Sequence, residues 1–193
     1  MRKYLFMAIA LCVAGLAFWA ISIFRSSPDA PAPPPRAGAM QNFTPAEPPK
    51  PAPSVRLAAA DGTEKGLEAW RGQFVLVNFW ATWCAPCVRE MPSLQRLQAA
   101  LGSDRFTVLA LSQDLKGWDV IAPFLDRLKL DALPVLHDPQ GAAARGFGVV
   151  GLPATILLGP DGTELGRLTG PAEWDGPDAQ ALIRHYLAMD LPQ

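Results

Sequence analysis

The polar and apolar positions divide the chain into three stretches of different character. Tyr4 to Phe24 is 21 residues without a formal charge, flanked by Arg2 and Lys3 on one side and Arg25 on the other. At about 1.5 Å per helical residue such a run spans about 30 Å, the thickness of a bilayer's hydrocarbon core. It therefore predicts an uncleaved membrane anchor over residues 1–25. A cleaved signal would carry a shorter apolar region followed by a small-x-small site, whereas Phe18, Trp19, Ile21, Ile23 and Phe24 crowd the far end here. A signal sequence remains the alternative. Arg2 and Lys3 favour a cytoplasmic N-terminus, which would put the rest of the chain outside.

Residues 26–53 hold ten of the chain's twenty prolines. Proline fixes φ and removes the amide donor, so this stretch predicts an extended spacer that joins neither helix nor sheet ladder. A ligand for a proline-binding module is the sharper alternative.

Residues 54–193 alternate between the periods of strand and helix. Val55 to Leu57 reads as a short strand, with Asp61-Gly62 as the turn after it. Phe74 to Trp80 is nearly continuous in β-formers, as a strand buried on both faces requires. Cys84 to Leu101 reads as a helix with Val88, Met91, Leu94, Leu97 and Leu101 on one face and a bend at Pro92. Phe106 to Leu111 predicts a strand, Asp119 to Leu130 an amphipathic helix and Pro177 to Met189 a closing helix. Thr155–Leu158 and Glu164–Leu168 flank Gly159-Pro160-Asp161-Gly162, a hairpin signal. The sum is an α/β domain with a central mixed sheet flanked by helices.

Composition narrows the chemistry. Seventeen basic residues against eighteen acidic ones give a net charge of -1, which leaves no basic surplus for nucleic acid. Three cysteines, Cys12, Cys84 and Cys87, are too few for a disulfide-stapled scaffold. The last two form Cys84-Ala85-Pro86-Cys87, directly after the strand and at the start of the helix. A sulfur there faces unpaired amides and the positive end of the macrodipole, both of which favour thiolate, the species that attacks disulfides. Cys84, nearer the helix end, is the expected nucleophile and Cys87 the resolving thiol. Pro86 sits in the first turn, where its missing N–H costs nothing.

The dithiol is also half of a zinc site, but only His137 and His185 could complete one. A periplasmic copper-binding protein using both thiolates, with His137 as third ligand, is the second functional class. The exchange reading calls for no metal and no other cofactor. Both histidines are expected to be structural.

The run VNFWATWCAPCVREMP, Val77 to Pro92, resembles the active-site signature of the thioredoxin superfamily, and most closely its membrane-anchored, TlpA-like and ResA-like extracytoplasmic branch. Pro134 to Gly141 and Val149 to Gly162 extend the resemblance over the whole head. It implies a thioredoxin fold, a cis peptide between Leu152 and Pro153 facing the cysteines, and docking of an extended partner chain on that backbone, with Trp83 and Pro86 bordering the same surface. It also implies protein disulfides as substrates, a CcdA-like or DsbD-like membrane thiol transporter as electron donor, and cytochrome c or copper-site maturation as the setting. A CcmG-type thioredoxin is the near alternative, although Ala154 and Thr155 stand where that group carries a glutamate. Asn78 replaces the aspartate of cytosolic thioredoxins and cannot shuttle a proton. Glu90, three residues past Cys87, matches the glutamate that tunes cysteine acidity in ResA-like proteins and is assigned as proton acceptor for Cys87. The resulting expectation is a thiol:disulfide oxidoreductase, most simply a reductase, held by one span in the inner membrane with its catalytic domain in the periplasm.

Overall fold

Phe74–Trp80 (β4) is the axis of the domain, and all seven of its residues are buried. The computed structural model describes residues 33–189; the expected anchor at residues 1–25, Cys12 within it and the first part of the spacer lie outside the described residues. Because successive side chains of a strand point to opposite faces, β4 feeds two cores. Phe74, Leu76 and Trp80 pack with Met91, Leu94 and Leu97 of Ala85–Leu101 (α1) and with Leu182 and Ile183 of Pro177–Leu187 (α4). Val75, Val77 and Phe79 pack on the other face with Leu57, Leu109, Ile156 and Phe147. Asn78 has the parity of the first face, so the single polar residue of the strand points toward α1.

Among the described residues, eight strands form one sheet. Thr44–Pro51 (β1), Leu57–Ala58 (β2), Glu64–Lys65 (β3), β4, Phe106–Ser112 (β5), Val135–His137 (β6), Ala154–Leu158 (β7) and Thr163–Thr169 (β8) lie in the order β1-β8-β7-β4-β5-β6-β2-β3. β4, β5 and β6 are parallel, joined by α1 and by Trp118–Leu128 (α2), whereas β7 runs antiparallel to β4. A short helix, Ala142–Gly146 (α3), precedes β7. The hairpin between β7 and β8 closes as its sequence predicts: the Thr163 N–H and hydroxyl both donate to Asp161 Oδ1, at 3.0 and 2.8 Å. The mixed sheet with helices is the expected thioredoxin fold.

The expected spacer over 26–53 is corrected by the structure. Residues 44–51, four prolines among them, form β1 and pair with β8 through Thr44↔Arg167, Pro45↔Gly166, Lys50↔Glu164 and Pro51↔Thr163. Proline is excluded from central strands because it cannot donate to a ladder, but β1 is an edge, and its register slips between Pro45 and Lys50. Two apolar residues hold the segment down. Met40 and Phe43 are buried in the α-helical core, and the Phe43 ring lies 6.0 Å from that of Tyr186. Gly166 admits this packing, since a Cβ there would run into the Phe43 ring. The folded unit therefore begins well before the expected boundary at Ser54, and residue 34 already belongs to it.

Candidate active site

β4 ends at Trp80, and the chain turns through Ala81–Trp83 to present Cys84 as the N-cap of α1. The Cys87 N–H donates to Cys84 Sγ at 3.4 Å, so the sulfur takes the place of a capping oxygen. Cys84 and Cys87 are joined as a disulfide, with Cα atoms 5.2 Å apart. Cys87 is fully buried, while Cys84 keeps 6% of its surface and is the more accessible of the two sulfurs. Trp83 beside them is 69% exposed. Pro86 occupies the first turn of α1.

The Leu152–Pro153 peptide is cis, as the resemblance implied. Its place follows from the sheet: Phe79↔Ala154 pairing sets Pro153, just before β7, at the end of β4 from which the cysteine loop leaves. The Pro153 carbonyl accepts from Gly170 N–H at 2.9 Å, and Leu152 packs against both cores.

Glu90 lies inside the domain, 2% exposed, one helical turn past Cys87. Its Oε1 accepts from Asn78 Nδ2 at 2.8 Å and its Oε2 from Ala172 N–H at 3.1 Å. Burial pushes this carboxyl up to about 7; the Asn78 and Ala172 hydrogen bonds oppose the shift without cancelling it. The Trp174 indole N–H is buried and closes no hydrogen bond. A pocket of about 370 Å³ is lined by Glu90 together with Pro86, Arg89, Ala172 and Glu173. Glu90 is thus poised to gain or lose a proton at neutral pH.

Sequence reasoning missed the partners of this carboxyl. Asn78 Nδ2 donates at once to Glu90 and, at 2.9 Å, to Thr155 Oγ1, tying α1 to the strand that follows Pro153. The polar residue inside an otherwise apolar strand was the available signal. Ala172 donates through its backbone and left no trace in the sequence. His137 contacts the Asp114 carbonyl at 2.9 Å, and His185 stacks edge-on with Tyr186 in α4. No His, Cys, Asp or Glu cluster able to hold a metal occurs among the described residues. A second cavity, about 260 Å³ and lined in part by Leu67, Trp70 and Gly159, contains none of the cysteine-site residues.

Comparison with known proteins agrees with this geometry. Residues 48–163 match the AhpC/TSA family. The thiol-disulfide oxidoreductase ResA of Geobacillus thermodenitrificans is 34% identical over 119 residues, 62% of this chain and 67% of that protein. The thiol:disulfide interchange protein CycY of Rhizobium leguminosarum bv. viciae is 36% identical over 104 residues, 54% of each chain. Among solved structures, one described as a thiol:disulfide interchange protein DsbE from Chlorobium tepidum superposes with a TM-score of 0.62 at 31% identity, over 72% of this chain and 95% of that one.

Proposed function

The chain belongs to the AhpC/TSA family of thioredoxin-like proteins and is a thiol:disulfide oxidoreductase, and from there we propose that it works as a reductase of disulfides in partner proteins outside the cytoplasm. In its reduced form the Cys84 thiolate attacks one sulfur of a partner's disulfide. The partner's S–S bond breaks, a Cys84–partner disulfide forms, and one partner thiolate leaves. Cys87 then gives its proton to the Glu90 carboxylate and attacks Cys84 Sγ, releasing the second partner thiolate. Two electrons pass from the pair to the partner, and Cys84–Cys87 ends as the disulfide seen here.

The observation that carries this reading is the disulfide at the N-terminus of α1 with a carboxyl of near-neutral acidity one turn beyond it. Recharging requires an electron-donating thiol protein, for which a CcdA-like or DsbD-like membrane transporter fits the resemblance. Residues 4–24 have the length and apolarity of a single inner-membrane span, which would hold the domain in the periplasm. Disulfides of cytochrome c or copper-site maturation are the proposed substrates.

A Cys87→Ser chain provides the test, because a mixed disulfide through Cys84 cannot then be resolved. The expected result is a partner adduct retained at Cys84 and released by dithiothreitol. Absence of any adduct, together with no reduction of a protein disulfide by the wild-type chain, would defeat the reading.

A further inference from the structure

We propose that Asp114 is a positioning residue for disulfide exchange, acting through Thr82 to fix the loop that presents Cys84. The inference rests on the exchange reading above and concerns Asp114, which lies outside the Val77–Pro92 signature, and Thr82, to which that signature assigned no role. β4 and β5 pair in parallel from Phe74↔Phe106 to Trp80↔Ser112. Past that point the chain leaves β4 to form the cysteine loop, and a side chain takes over from the backbone ladder. Asp114 Oδ2 accepts from Thr82 N–H at 2.9 Å, and Oδ1 accepts from the Thr82 hydroxyl at 2.6 Å. Ser112 Oγ donates to Oδ2 at 2.9 Å and accepts from the Asp114 N–H at 3.1 Å. The Asp114 carbonyl meets His137 Nε2 at 2.9 Å, which braces the residue from β6.

This carboxylate is 3% exposed, and no lysine or arginine pairs with it among the described residues. A carboxylate out of water is tolerated only where hydrogen bonds replace its hydration, and here two of the three side-chain acceptor bonds come from one residue of the cysteine loop. Thr82 is held at both its N–H and its hydroxyl. The path of Ala81–Trp83 is thereby set, and with it the Cys84 N–H bond to the Ala81 carbonyl at 3.1 Å and the seat of Cys84 Sγ over the first turn of α1. Small displacements of a reacting group cost large factors in rate, so loosening this clamp should show in the chemical step.

The test uses the full chain with Thr82→Val, which keeps the N–H bond but loses the hydroxyl bond, Thr82→Ser, which keeps both, Asp114→Asn, and the Thr82→Val/Asp114→Asn double variant. Two quantities are read: steady-state reduction of a protein disulfide, and the pH profile of Cys84 alkylation followed peptide by peptide by mass spectrometry. Thr82→Val and Asp114→Asn are each expected to lower kcat about tenfold with KM little changed and to displace the alkylation profile. Thr82→Ser should restore both readouts, and the double variant should lose less than twofold beyond either single one. Multiplying losses, failure of Thr82→Ser to restore the rate, or an unmoved alkylation profile would overturn the role. If Asp114→Asn does not fold, the Val and Ser variants at position 82 still decide. A wild-type chain that reduces no disulfide would defeat the exchange reading instead, and the alkylation profiles would still judge Asp114.

Discussion

The Asn78 side-chain amide donates to Glu90 at 2.8 Å in the interior of the domain, while its own Oδ1 has no partner. The amide is thus arranged for an ionised Glu90, yet burial favours the neutral form. Protonation of Glu90 would set an O–H against the donating Asn78 amide, so the two protonation states call for different orientations of that amide. The unpartnered Oδ1 is an acceptor on the same side chain, which suits a neighbour that receives a proton during resolution.

Glu90→Gln therefore separates proton transfer from shape. A folded-state value of about 7 against 4.5 for an ordinary glutamate means that the folded protein holds this proton more tightly than the unfolded chain does. The stability gained from the proton is fully present below about pH 4.5 and is lost as the pH rises through 7. The difference is on the order of 3 kcal/mol, each tenfold change in proton affinity being worth about 1.4 kcal/mol. Against wild type, Glu90→Gln should gain relative stability between those limits, as followed by urea unfolding at a series of pH values. Release of a partner from the Cys84 mixed disulfide should slow by about tenfold or more in the same variant. Parallel stability profiles would remove the raised acidity constant from the account.

The strand and helix expectations that met the structure share a physical cause: each rested on a pattern that local chemistry enforces. Phe74–Trp80 is the predicted strand, and α1 starts where a helix N-terminus was expected, with Cys84 as its cap. Asp119 to Leu130 differs from the observed Trp118–Leu128 by one or two residues at each end. What escaped depends on partners distant in sequence. β6 has three residues and β3 two, too short to show a period, and they exist because neighbouring strands pair with them. The proline-rich segment misled for a related reason: prolines bar a central strand, and only the topology reveals that β1 is an edge. In the site, the placement of the cysteine pair at the start of α1 and of Glu90 one turn on was legible, whereas the clamp of Asp114 on Thr82 spans 32 residues and the sequence pattern does not link them.

Phe43 tests the enlarged boundary of the folded unit. Its ring is 2% exposed and fills the space over Gly166 and against Tyr186. Truncating a buried phenylalanine to alanine costs about 3–5 kcal/mol where the surroundings cannot collapse. Phe43→Ala should lower the unfolding midpoint and speed amide exchange in β8, whose partner strand it pins. A chain starting at Ser54 should be destabilised further, because Met40 leaves as well. Equal melting temperatures for the full chain and the shortened one would show that β1 is not part of the stable unit.

Trp83 offers the opposite combination, weight in partner binding without weight in folding. It stands 69% exposed immediately before Cys84. Leu115, 95% exposed, follows β5, and Val150, 97% exposed, precedes β7, so three large apolar side chains project from the end of the sheet that carries the disulfide. Apolar groups left in water around a reacting sulfur are available to a partner's chain. Trp83→Ala should alter unfolding free energy by no more than about 0.5 kcal/mol, as for other exposed sites. For a protein disulfide KM should rise several-fold with kcat little changed, because the lost contact is made equally in the bound complex and the transition state. For a small disulfide such as cystine, which has no chain to lay across the apolar rim, both constants should change less than for a protein disulfide. Equal effects on the two substrates would instead assign Trp83 to shaping the Cys84 loop, and no effect on either would leave the apolar rim without a part in recognition.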